Sequence, residues 1–237
     1  AWQQISLLYG FLAIFAAAGI AIVTRSDLGM GQSSHHQAPL RTDQSEVKGW
    51  GILNWRPYVA LLMVTSIDTM VQSSVLVYVA FLMLSKGLPL SVATGATVLL
   101  LAGGVFGKAG CGFLADRMGV RIAFLVAQLL TALGLVAVVV APNWLAVALL
   151  VPLGAVLQGT SSVTYGFAAD LIDHRRMARG YALLYSAGTF ASAAGPLSVG
   201  IVADRFDLET AIYFVSFVAL LAIPPIFTLR AVSARTA

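Results

Sequence analysis

Long apolar runs separated by short polar turns dominate the chain. Seven stretches, roughly 1–23, 57–84, 92–112, 122–141, 144–167, 179–203 and 210–230, are almost uncharged. Each is close to the twenty residues that a helix needs to cross the hydrocarbon core of a bilayer. The pattern predicts an all-α integral membrane protein in which residues 57–230 form a six-helix bundle and residues 1–23 form one preceding membrane helix. The connection 24–56 is long and polar, with His36, Pro39 and many Ser, Gln and Gly residues, and is expected to be a poorly ordered linker. Residues 231–237 are left as a short tail. Trp55, Tyr58, Trp144 and Tyr213 fall near span ends, as interfacial aromatics do. Pro57 suits a helix start, whereas Pro224 and Pro225 are expected to kink or loosen the last span.

Composition supports this pattern. Of the 237 residues 59% are hydrophobic and 10% charged, and the mean hydropathy is +0.90, which excludes an ordinary soluble domain. A net charge of +4 raises the question of nucleic acid, but the basic residues lie in a few connecting turns rather than on one face. Their distribution reads as topology. Arg25, Arg41, Lys48, Arg56, Lys108, Arg117, Arg121, Arg175, Arg176, Arg179, Arg230 and Arg235 fall on one side, and only Lys86 and Arg205 on the other. The richer side is the cytoplasmic one by the positive-inside tendency. The expectation is a multi-pass protein of the cell's inner (plasma) membrane, with loop 24–56 and the carboxy terminus in the cytoplasm. Residue 1 then lies outside, which predicts that an odd number of earlier helices is missing and that the chain is a fragment lacking an amino-terminal half. Ala1–Val23 is too long for a secretory signal and lacks its basic flank and cleavage pattern. With Cys111 as the only cysteine, no internal disulfide can form.

The densest cluster of charge and glycine is Gly112-Phe-Leu-Ala-Asp116-Arg117-Met-Gly119-Val-Arg121. As a tight connection between two helices, it would use Gly112 and Gly119 for close approach and positive φ. Asp116 would face a helix amino terminus, and Arg117 and Arg121 would pair with an acid, for which Asp170 is the candidate. This run resembles the signature loop of the major facilitator superfamily, of form G-x-L-A-D-R-x-G-x-R, at every defined position. The resemblance implies that residues 57–230 are helices seven to twelve of such a transporter and residues 1–23 its helix six. It also implies that Asp116, Arg117 and Arg121 latch the cytoplasmic side in one state rather than contact substrate. The plainer reading is that these charges only anchor a short loop.

A partial copy, Gly200-Ile-Val-Ala-Asp204-Arg205, lies three helices later. An odd separation puts the copies on opposite faces, as inverted three-helix repeats would. In the same helix Gly188, Gly195-Pro196 and Gly200 favour close packing and a flexing point at Gly195 and Pro196. The pair loosely resembles the glycine-proline motif of proton-coupled drug antiporters, which belongs to the equivalent helix of the other half.

Asp68 is the one acidic residue near the middle of a span, and such a carboxyl marks a water-filled pathway or a proton site. Thr65, Asp68 and Gln72 fall within a stripe of about sixty degrees at 3.6 residues per turn and are expected to face a central cavity. Gln128, Gln158, Ser161, Ser162, Tyr165, Tyr181 and Tyr185 can line that cavity or serve as interhelical hydrogen bonds. Lys108 lies near a helix end and is expected to snorkel. The adjacent His35 and His36 lack a third ligand at useful spacing, and His174 reads as a solvated loop residue. No nucleophile–base set, phosphate-binding loop or metal-ligand cluster appears, so no catalytic residue, metal or cofactor is expected. These features point to a secondary active transporter of small organic molecules, driven by protons in efflux or uptake, working by alternating access in a lipid bilayer without nucleic-acid partners. A non-transporting scaffold or degenerate remnant is the alternative, and a membrane enzyme a more distant one, since it would need clustered His, Asp or Glu at mid-depth.

Overall fold

The computed structural model describes residues 50–229. The expected span 1–23, most of the linker 24–56 and the tail 231–237 lie outside the described residues. Six helices long and apolar enough to cross a membrane are present among those described. They are α1 (Trp55–Ser85), α2 (Leu90–Met118), α3 (Val120–Val140), α4 (Asn143–Leu171), α5 (Met177–Arg205) and a last span made of α6 (Leu208–Leu220) and α7 (Ile223–Thr228). Among the described residues no strand forms, and the one backbone bridge joins Ile52 to Ile172.

Local chemistry sets the helix ends. Pro57 sits in the first turn of α1, where a missing N–H breaks no intrahelical bond. Gly119 separates α2 from α3 by a single residue with φ 87, a conformation that side chains other than glycine resist. The last span breaks at Leu221–Ala222, because Pro224 and Pro225 have no N–H to return to the carbonyls one turn back. Asp207 accepts the Thr210 N–H at 2.6 Å to start α6, and this bond holds its carboxyl below the usual carboxylate range. A depressed folded value makes that cap effective at neutral pH and lost as pH falls through it.

The helices pair as two related triplets. The most extensive contact is α2 on α4 and the next α1 on α5; α3 also packs on α4, and α6 on α1. Advancing each helix by three carries the first contact onto the second and the third onto the fourth, the relation of an inverted repeat. Glycine makes the α2–α4 contact close. A Cβ on Gly103 or Gly107 would strike the carbonyl oxygens of Val151 and Ala155, and one on Gly154 would strike that of Leu100. Without a hydrophobic drive between helices in lipid, such close backbone approach supplies much of the association.

Buried apolar residues form two clusters separated along the bundle. One gathers Val71–Met83 of α1 with Ala132–Val139, Ala146–Leu157 and Ala211–Ala219 toward the end that carries Lys86. The other gathers Tyr58–Val64 with Phe124, Phe167, Leu171, Leu184 and Ile226 toward the end that carries the basic turns. Between them the buried side chains turn polar: Thr65, Asp68, Gln128, Thr131 and Thr160. This layer positions the site.

At the end with the basic turns, the segment ahead of α1 is stitched to the α4–α5 connection. The Leu53 N–H donates to the Leu171 carbonyl at 3.0 Å, and the Asp173 N–H to the Gly51 carbonyl at 2.8 Å. His174 lies in a single 3-10 turn that begins where Asp173 accepts the Arg175 N–H.

Candidate functional site

Asp68 lies in the polar layer with 6% of its surface exposed. Its Oδ1 accepts the Gln128 Nε2–H of α3 at 3.0 Å, and its Oδ2 accepts the Thr160 hydroxyl of α4 at 2.6 Å. The carboxyl is therefore fastened between α1, α3 and α4. One helical turn along, Gln72 donates through Nε2 to the Gln158 Oε1 at 2.8 Å and to the Leu157 carbonyl at 3.2 Å. Two buried polar atoms have no partner among the described residues, Thr65 Oγ1 and Gln128 Oε1. An orphaned buried group of this kind costs roughly 1–3 kcal/mol unless water or a ligand meets it.

A cavity of about 220 Å³ lies between α1, α4 and α5, lined on α1 by Thr65, Thr69, Gln72 and Ser73. Tyr165 and Tyr185, stacked with centroids 5.3 Å apart, and Gly188, Thr189 and Ser192 complete its polar wall. None of its lining side chains is charged. The stripe read from the sequence divides here. Thr65 and Gln72 face the cavity, whereas Asp68 does not; it sits behind the wall, against α3 and α4. The reason is angular: the lining residues centre on a line about 85° around α1 from Asp68 at 100° per residue. Gln158 touches the cavity only through its bond to Gln72. Tyr181 lies away from it, donating to the Tyr165 carbonyl at 2.8 Å.

Thr160 is the residue that sequence reasoning overlooked. A threonine inside an apolar helix ordinarily bonds its own preceding turn, and nothing in the local pattern distinguishes this one. Only the α1–α4 packing reveals the acid opposite. Gln128 was among the polar candidates, without a partner assigned.

The Gly112–Arg121 run is mostly helix rather than loop, since α2 continues to Met118. Asp116 and Arg117 are exposed in its last turns, and the Arg117 guanidinium lies 4.4 Å from the centroid of Phe113. Asp116 does not cap α3, whose first turn has no side-chain cap. Gly112 is not required by crowding, since a Cβ there would come no nearer than 3.8 Å to the Ser162 hydroxyl. Arg121 donates from Nε to the Leu229 carbonyl and from Nη2 to the Phe227 carbonyl, each at 3.0 Å. Neither arginine forms an ion pair with Asp170 in this arrangement; Asp170 is exposed near the end of α4, toward Tyr181. Arg121 thus ties the start of α3 to the open carbonyls of α7. For Arg121→Met we expect hydrogen exchange around Phe227–Leu229 to speed up roughly tenfold or more, as loss of about 1.5 kcal/mol implies. Unchanged exchange there would show that the guanidinium does not hold α7.

Gly195 and Pro196 lie within an unbroken α5. A Cβ on Gly195 would crowd the Met70 carbonyl and the Ser74 hydroxyl, and the Pro196 carbonyl accepts the Tyr78 hydroxyl at 3.0 Å. Close packing on α1 accounts for both residues in this state.

The family model of the Major Facilitator Superfamily matches residues 61–236. The chain belongs to the major facilitator superfamily. Members are membrane transporters, so the six spans and the polar layer between α1, α3 and α4 are parts of a transporter bundle. No curated protein matches the chain significantly. Within this superfamily chain, the charged run at the α2–α3 connection and the buried acid occupy separate places: one at a bundle end, the other midway along the spans.

Proposed function

We propose that this superfamily member is a proton-driven secondary transporter of small organic molecules, with Asp68 as its proton site and the cavity beside it as part of its substrate site. The observation that carries the reading is a lone buried carboxyl, held by two neutral donors, one helical turn from a polar cavity. Such an acid is costly in the spans and by default marks a proton or substrate path. The uncharged wall with stacked tyrosines favours neutral or cationic amphiphiles, with sugars or monocarboxylates next. Positive-inside bias puts the basic turns and carboxy terminus in the cytoplasm of a plasma-membrane protein. A second six-helix half then faces the cavity, and the two halves rock around it. In this reading Arg117, exposed, stacked on Phe113 and in no ion pair among the described residues, latches that half in another state.

The test is Asp68→Asn, which keeps the shape of the carboxyl and removes its charge. In energised membrane vesicles of either orientation that contain the transporter with both halves, and with ethidium as the reporter, the wild-type protein is expected to move the dye in response to a proton gradient. The variant should elute as a single species and lose the gradient dependence by more than tenfold. Full gradient-driven movement by the variant would remove Asp68 from coupling.

A further inference from the structure

We infer that Thr160 and the backbone carbonyl of Leu157 relay the protonation state of Asp68 to Gln72 in the cavity wall. This rests on the proton-site reading of Asp68 and adds the path by which the cavity senses it.

The Thr160 hydroxyl has one hydrogen and two acceptors within reach. They are Asp68 Oδ2 at 2.6 Å and, three residues back on its own helix, the Leu157 carbonyl at 3.4 Å. One hydrogen cannot serve both. With Asp68 ionised the hydroxyl donates to Oδ2, and the Leu157 carbonyl is left to the Ser161 N–H of its own helix and to Gln72 Nε2 at 3.2 Å. When a proton settles on Oδ2, Asp68 becomes the donor and Thr160 Oγ1 the acceptor. The threonine hydrogen must then rotate, and the Leu157 carbonyl is the acceptor left to it. No O–H bond breaks in Thr160; the added proton stays on Asp68 and the hydroxyl only turns. The Leu157 carbonyl, whose two lone pairs already serve the Ser161 and Gln72 N–H groups, takes a third donor and loosens its hold on Gln72.

Gln72 lines the cavity and keeps its bond to the Gln158 Oε1 at 2.8 Å. Its other N–H becomes free for an acceptor atom of a molecule in the cavity. Proton and substrate are then linked positively, and each favours the other by the same factor. From α2 the Cys111 thiol faces Asp68, while α3 and α4 present uncharged Gln128 and Thr160; α5, α6 and α7 bring no other titratable group to it among the described residues. The competing place for the carboxyl hydrogen is Oδ1, where a turn of the Gln128 amide would offer its unpartnered Oε1. That route ends at α3 and never reaches the cavity.

Infrared difference spectroscopy of the purified protein in lipid nanodiscs, with side-chain-labelled glutamine, separates these outcomes without a known substrate. Titration of the wild type from alkaline to acid pH should raise a carboxylic C=O band that Asp68→Asn abolishes. It should also shift a glutamine amide band that Gln72→Leu abolishes. In Thr160→Val the carboxylic band should persist and the Gln72 shift vanish, and Thr160→Ser should restore it. A Gln72 shift that survives in Thr160→Val, or a shift belonging to Gln128 instead, overturns the relay while leaving Asp68 a proton site. Absence of any Asp68 band in the wild type defeats the proton-site reading itself.

Discussion

Gly107→Leu is expected to abolish the folded bundle. A Cβ at this position would overlap the carbonyl group of Ala155, and that obstacle is backbone, so no neighbouring side chain can rotate away to relieve it. The helices would have to part along the most extensive interface in the bundle. Neighbouring contacts are equally unforgiving, since Gly103 lies against the Val151 carbonyl and Gly154 against that of Leu100. Parting α2 from α4 would withdraw α4, and with it Thr160, from its place opposite α1. Overpacking ordinarily costs about 1–3 kcal/mol; with backbone as the obstacle we expect the exceptional range above about 4 kcal/mol, visible as loss of the single-species elution peak. Gly110→Leu is the control on the same helix, because a Cβ there meets nothing within 4 Å. If Gly107→Leu melted like wild type while Gly110→Leu did not, the glycine contact would not be what holds α2 to α4.

How far the sequence disclosed this architecture follows from what each signal measures. The six spans within residues 57–230 were legible because a membrane helix declares itself by about twenty apolar residues in a row. Helix ends were less so. The span expected to close at Gly112 continues to Met118, since Asp116 and Arg117 can ride the last turns of a helix at its exposed end without interrupting it. Positive φ holds at Gly119 but not at Gly112, which lies inside α2; Gly119 and the break ahead of Pro224 were legible from the covalent structure of those residues. The site was legible only as a set of polar positions. Asp68 stood out by its charge, but which way it faces depends on how α1 is rolled against three other helices, and a stripe sixty degrees wide does not fix that. Thr160 carried no signal, since its partner is 92 positions away. The pairing of Arg121 with the last helix was hidden in the same way: its acceptors are backbone carbonyls more than one hundred positions distant, which no side-chain pattern marks.

The polar layer itself supplies the second large effect. Gln128→Leu combined with Thr160→Val removes both donors from a carboxyl that is 6% exposed, and each hydrogen bond to a charged group contributes roughly 1.5–3 kcal/mol. The melting temperature in detergent should fall accordingly. Adding Asp68→Leu to the pair should restore most of the loss, because replacing a whole buried polar set by apolar groups is often neutral or stabilising whereas removing part of it is not. The comparison isolates the interaction, since both donors touch Asp68 and effects of contacting residues are not additive. A triple variant no more stable than the double would mean that Asp68 is not the group the two donors serve. Recovery of stability in the triple variant, with gradient-driven transport still absent, is the combination we expect. An apolar layer would then hold the bundle together at least as well, so holding the helices would not be why this costly acid and its donors stand between two apolar clusters. That combination would support the proposed reading of Asp68 as a proton site over a purely structural one.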